Sequence, residues 1–115
     1  MLTPEQLVLG IILPEGVLEW FNVIEGKSND NSVRITLEEK NIPPLEDKTK
    51  KIISKGFKDI TITDFPIRGK QTFLTFRRRY WQLEDQKELL KRDIQLASLG
   101  TQLETEFAAF LKANS

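Results

Sequence analysis

The chain of 115 residues contains neither cysteine nor histidine. Without cysteine, disulfides and thiolate metal sites are excluded. Without histidine, the commonest metal ligand and the usual general base near neutral pH are missing, so only carboxylates remain to hold a metal. Glycine numbers 6 and is scattered, with no phosphate-cradling loop of Walker or Rossmann spacing. Gly69 and Gly100 read instead as a turn and a joint before a helix. Long apolar runs are missing too. The run Leu7 to Leu13 is far too short to span a bilayer, and Pro4, Glu5 and Gln6 precede it where a signal peptide would carry basic residues. Neither a membrane anchor nor a secretory signal is expected, and a cytoplasmic protein is the plain reading. Serines and threonines have no histidine partner, Glu38 and Glu39 alternate faces, and Asp59 and Asp64 sit among basic neighbours that keep them ionised. The expectation is therefore a protein that is not an enzyme and holds no metal or cofactor.

With 39% hydrophobic and 30% charged residues, the composition is that of a folded domain, and the length suits one domain over residues 1–115. The formal net charge of zero conceals three blocks. Residues 1–47 hold 3 Lys/Arg against 9 Asp/Glu, residues 48–92 hold 13 against 5, and residues 93–115 hold 1 against 3. Charge asymmetry of this kind points to nucleic-acid contact, or to an acidic half pairing with a basic half inside one fold.

Pro14 and Glu15 suit the first turn of a helix, and Val17, Leu18 and Phe21 recur at helical spacing, which predicts a short helix over 14–21. Asn29-Asp30-Asn31 marks a turn between a strand near 22–26 and a strand in which Val33, Ile35 and Leu37 alternate with Arg34, Thr36 and Glu38. Pro43-Pro44 opens a polar connection anchored by Ile52, Ile53 and Phe57. Ile60 and Ile62 then alternate with threonines as a further strand. Pro66 and Gly69 supply a turn, Lys70 to Trp81 reads as a long strand, 82–88 as a hairpin loop and 89–96 as a returning strand. Thr101 with Glu104 forms a capping box ahead of a helix whose stripe is Leu103, Phe107, Phe110 and Leu111. The fold class is α+β: a mainly antiparallel sheet of four to five strands, with a short N-terminal helix and a C-terminal helix packed on it.

The most informative stretch is Arg77-Arg78-Arg79-Tyr80-Trp81. Arginine offers a forked, permanently charged donor set for phosphate oxygens, and flat rings stack on bases or guanidinium planes. Strand alternation places Leu74 and Phe76 in the core, so Arg77 and Arg79 point outward with Trp81, while Arg78 snorkels to the rim. Arg68 and Lys70 lie near the other end of that strand, with Lys55 and Lys58 just upstream. A basic stripe for DNA is expected, made of Lys55, Lys58, Arg68, Lys70, Arg77, Arg78, Arg79, Tyr80 and Trp81. The competing readings are charges that discourage strand pairing at an exposed edge and, for Trp81, packing on the sheet.

Ser54-Lys55-Gly56-Phe57, Asp64-Phe65-Pro66-Ile67-Arg68-Gly69-Lys70, Arg77 to Trp81, and Gly100-Thr101 with Glu106-Phe107-Ala108-Ala109-Phe110-Leu111-Lys112 resemble the transposase N-terminal region family of ISAon-type bacterial insertion sequences. Pro14-Glu15-Gly16 fits as well. The resemblance implies a small noncatalytic module encoded beside a separate DDE-type transposase, binding the DNA of the element or docking on the catalytic chain with its basic face against an acidic patch there. The chain departs from related modules in having no cysteines for zinc and no helix-turn-helix, and it carries Ile94 and Gln102 where an aromatic and an arginine are expected.

Overall fold

The computed structural model describes residues 2–44, 51–94, 96 and 100–114, with the side chains of 100–102 excepted. Its elements in chain order are α1 (Pro4–Ile12), α2 (Val17–Trp20), β1 (Phe21–Ser28), β2 (Ser32–Glu39), β3 (Ile52–Ile67), β4 (Lys70–Leu83), β5 (Leu89–Leu90) and α3 (Gly100–Asn114). The α+β class expected from the sequence is observed. The strands form one five-stranded sheet in the order β1-β2-β4-β3, with β5 added beside the end of β4. It is mixed rather than purely antiparallel, because β2 runs parallel to β4 from Ser32 beside Gln71 to Glu38 beside Arg77.

Local chemistry explains most boundaries. Asn29 Oδ1 accepts from the backbone N–H groups of Asn31 and Ser32 at 2.8 and 2.7 Å, closing the β1–β2 hairpin. At the β3–β4 turn both Arg68 and Gly69 have positive φ, 54° and 76°, as a two-residue hairpin whose twist matches its strands demands. Two bulges in β3, at Ser54/Gly56 and Asp64/Ile67, bracket a regular stretch paired to β4.

Three expectations need correction. The polar connection expected through residue 57 becomes strand from Ile52 onward, so β3 spans 16 residues and not the short segment around Ile60 and Ile62. The N-terminal helix over 14–21 shrinks to the single turn of α2, and α1 precedes it. α1 had a sequence signature in Thr3-Pro4-Glu5-Gln6: Thr3 Oγ1 accepts from Gln6 N–H at 3.2 Å, and Gln6 Oε1 accepts from Thr3 N–H at 2.9 Å. Among the described residues, the returning strand expected over 89–96 is confined to Leu89–Leu90. α3 begins at Gly100, and the capping role expected of Thr101 lies outside the described side chains.

One face of the sheet, called inner here, carries the core. Phe21, Leu37, Ile60, Ile62, Leu74 and Phe76 pack there against Val17, Ile94, Leu103 and Phe107. The aliphatic Ile94, fully buried, serves as one of these wedges. Phe21 meets Phe76 edge-on with ring centroids 5.1 Å apart. Thr61 and Thr75, hydrogen-bonded to each other at 2.9 Å, mark the opposite, outer face.

Candidate functional site

The triplet Arg77–Arg79 sits where β4 has both β2 and β3 beside it, and alternation sends its members to different surroundings. Arg78 points to the inner face and is fully buried. Its Nε donates to Glu39 Oε1 at 2.7 Å, its Nη1 to Glu104 Oε1 at 2.6 Å and its Nη2 to the Arg92 carbonyl at 2.7 Å. The guanidinium lies 4.5 Å from the centre of the Phe107 ring. All three of its nitrogens are therefore engaged in joining β2, the segment after β5 and α3. The expectation that Arg78 snorkels to the rim is overturned, because two carboxylates and a carbonyl waited for it inside.

The network continues outward. Glu104 Oε2 accepts from Lys91 Nζ at 2.6 Å, and the same ammonium reaches Asp93 at 2.5 Å. Burial works against the charge on Lys91, yet the bonds to Asp93 and Glu104 hold its pKa above the ordinary value. The bond from Lys91 in turn holds the Asp93 carboxyl below its ordinary value. Glu39 behaves oppositely: burial pushes its carboxyl up, against the pull of Arg78. One of its oxygens, Oε2, is buried without a hydrogen-bond partner.

Arg77 and Arg79 take the outer face as the alternation predicts, but neither stands free. Arg77 lies between Asp59 of β3, at 3.2 Å, and Glu38 of β2, at 3.5 Å. Arg79 is largely covered. It donates to Ser54 Oγ at 2.8 Å and to the Glu39 carbonyl, stacks on Phe57 at 4.6 Å, and lies 4.0 Å from Glu38. Glu38 and Glu39 of the N-terminal block, with Asp59 and Glu104 from the other two blocks, thus neutralise the triplet, so the pairing of acidic with basic half that the charge blocks had left open accounts for part of it.

Trp81 is also fully buried, its Nε1 donating to Asn41 Oδ1 at 3.1 Å. The outward-facing, stacking role is therefore overturned and the packing reading holds. The cause is the segment after β2, which runs over this end of β4. Arg92 clamps the same segment through the carbonyls of Ile42 and Pro43 while lying over Trp20. Tyr80 turns to the inner face, where its ring meets Phe110 at 5.5 Å and crowds Gly56.

The remaining cations do not gather. Lys58 lies on the inner face over the Phe110 ring, 5.3 Å from its centre. Lys55 is exposed in the first bulge. Arg68 is exposed at the hairpin tip, and Lys70 beside it donates to Ser28 Oγ at 3.1 Å. Thirteen residues of extended chain separate Lys55 from Arg68, roughly 40 Å. The single stripe expected from nine residues is thus divided between two faces and two ends. Among the described residues, no group of three or more acidic side chains is placed to hold a metal ion.

A surface that the charge argument passed over lies at the N-terminus. α1 buries none of its residues fully, and only Leu9 packs against the core. Leu7, Val8, Ile11 and Ile12 fall at i, i+1, i+4 and i+5, so they form one stripe. That stripe faces solvent, with Ile11 84% exposed and Leu7 and Val8 each 55%. A groove of ≈ 330 Å³ adjoins it, between α1 and α2, lined by Leu2, Leu7, Gly10, Pro14, Val17 and Leu18 among others. The signal was the run Leu7 to Leu13 itself, an amphipathic helix read as apolar sequence. No helix of the described residues is long and apolar enough to cross a membrane.

Comparison of the chain with protein-family models, with curated proteins and with solved structures found no match.

Proposed function

We propose that this chain is a noncatalytic protein-docking module that works through α1 and not through its arginines. The observation that carries the reading is a helix whose apolar stripe, Leu7-Val8-Ile11-Ile12, lies in solvent while its other residues make few contacts. A helix of this kind binds a partner by laying the stripe into an apolar groove. Such a patch is uncommon on a surface that meets only water. The internal pairing of Arg77, Arg78 and Arg79 with Glu38, Glu39, Asp59 and Glu104 favours this reading over DNA contact through the β4 face. The resemblance to transposase N-terminal regions supplies the candidate partner, the separate DDE-type catalytic chain that such modules accompany. In that case the module serves transposition by joining the catalytic protein.

The test is an NMR titration of the whole chain with the catalytic protein and, separately, with duplex DNA at two salt concentrations. Shifts confined to residues 2–18 with the protein, lost in Val8→Asp/Ile11→Asp, are the expected result. That double variant keeps the wild-type unfolding free energy within about 0.5 kcal/mol, since surface positions cost little. Salt-dependent shifts at residues 68–92 on adding DNA, with no response of α1 to the protein, would refute the proposal and return the site to the basic residues.

A further inference from the structure

β3 closes one side of the sheet, and only β4 pairs with it. Among the described residues no strand meets its other edge, so alternate N–H and C=O groups along it face solvent. A long edge of this sort is a template for another strand. Lysines and bulges are the usual protection, and β3 has both, yet their placement produces a register instead of a barrier. The bulges leave the stretch from Gly56 to Asp64 regular.

Consider an antiparallel copy of β3 laid against this edge, related by a two-fold axis perpendicular to the sheet. Only registers that oppose residues of the same parity keep inner side chains inner. With the axis at Thr61, Lys58 faces Asp64 of the second copy and Ile60 faces Ile62. Moving the axis to Ile60 sets Lys58 against Ile62 and Phe57 against Thr63. Moving it to Ile62 sets Ile60 against Asp64. Within the regular stretch from Gly56 to Asp64, Lys58 and Asp64 are the only oppositely charged residues of the same parity, so the register centred on Thr61 alone pairs opposite charges there. Neither Lys58 nor Asp64 forms an ion pair with a described residue of its own chain, the Lys58 ammonium lying instead over the Phe110 ring.

We infer that β3 is a self-association edge, and that two copies of the chain join their sheets through antiparallel β3–β3 pairing centred on Thr61. An oppositely charged cross-strand pair stabilises such an arrangement, and the symmetry doubles the Lys58–Asp64 pair. Ile12 at the end of α1 shares a pocket with Asp64 and Phe65 at one end of this edge, but the pairing is centred on Thr61 and its cross-linking readout is independent of the docking function proposed above.

Sedimentation equilibrium of the full chain gives the first readout. The expected result is a concentration-dependent doubling of the 13.3 kDa monomer mass. Asp64→Lys, which sets lysine against lysine, returns the protein to monomer, and the exchange Lys58→Asp/Asp64→Lys restores the dimer. The chain's lack of cysteine permits a second, register-specific readout. Opposed residues in an antiparallel pair have Cα atoms about 4.5–5.5 Å apart, within disulfide reach. Thr61→Cys therefore cross-links to itself under mild oxidation. Thr63→Cys, equally exposed, lies about 14 Å from its own copy by strand geometry and cross-links at least about tenfold more slowly. A monomeric wild type at every accessible concentration overturns the inference. So does equal cross-linking of the two cysteine variants, which decides the matter even if the charge exchange fails to fold.

Discussion

Three neighbouring arginines with one chemistry occupy three environments, and their energetics diverge accordingly. Arg78 is a buried charge held by two carboxylates and a carbonyl, so its removal leaves Glu39 buried without its counterion. Arg78→Ala is expected to cost about 3–5 kcal/mol in urea or guanidinium unfolding. Arg77, 36% exposed between Glu38 and Asp59, behaves as a surface pair, and Arg77→Ala is expected to cost less than about 1 kcal/mol. Equal losses for the two would refute the distinction. Alternation made the directions of Arg77 and Arg79 legible in the sequence, because strand period is a local property. The fate of Arg78 was not legible, since Glu39 and Glu104 lie 39 and 26 residues away. A run of basic residues announces its charge and says nothing of which carboxylates the fold brings to it.

Among the elements, the β3–β4 hairpin is the dominant one, and its shape rests on small irregularities. Gly56 follows the first bulge, directly across from Tyr80. A Cβ there would stand 2.9 Å from Tyr80 Oη and 3.2 Å from Cζ, and Phe110 hems the ring in from the helix side. Gly56→Ala is thus expected to destabilise by about 1–3 kcal/mol through overpacking. Combined with Tyr80→Leu, which shortens the obstructing side chain, the loss falls short of the sum of the single variants, as a double-variant unfolding cycle would show. The turn at Gly69 and the strands flanking Asn29 to Asn31 were readable from turn chemistry. The first half of β3 was not, because Ser54-Lys55-Gly56 breaks the two-residue period at the bulge, and its apolar positions face different sides before and after it. α1 was missed for another reason. Its capping box is plain in Thr3 to Gln6, but its apolar residues cover no core, and helical periodicity is ordinarily read as a sign of burial.

At the scale of the whole molecule, β4 is the central strand, with β2, β3 and β5 all bonded to it. Its amides around Phe73 to Arg78 are expected to be the slowest to exchange with deuterated solvent, near the global unfolding limit, and those of α1 the fastest among the helices. Protection of α1 equal to that of β4 in the free monomer would contradict its description as a lightly attached element. The α+β class and most strands followed from local patterns. The parallel pairing of β2 with β4 did not, since no residue type encodes which side of a strand its neighbour takes. That pairing has a consequence during synthesis. The β1–β2 hairpin leaves the ribosome first, yet β4, the strand that completes its sheet, is finished only at Leu83, 44 residues after Glu39. At typical translation rates of about 5–20 residues per second, the hairpin waits roughly 2–9 s with one edge bare. During that interval the nascent polypeptide is most exposed to mispairing and to chaperones.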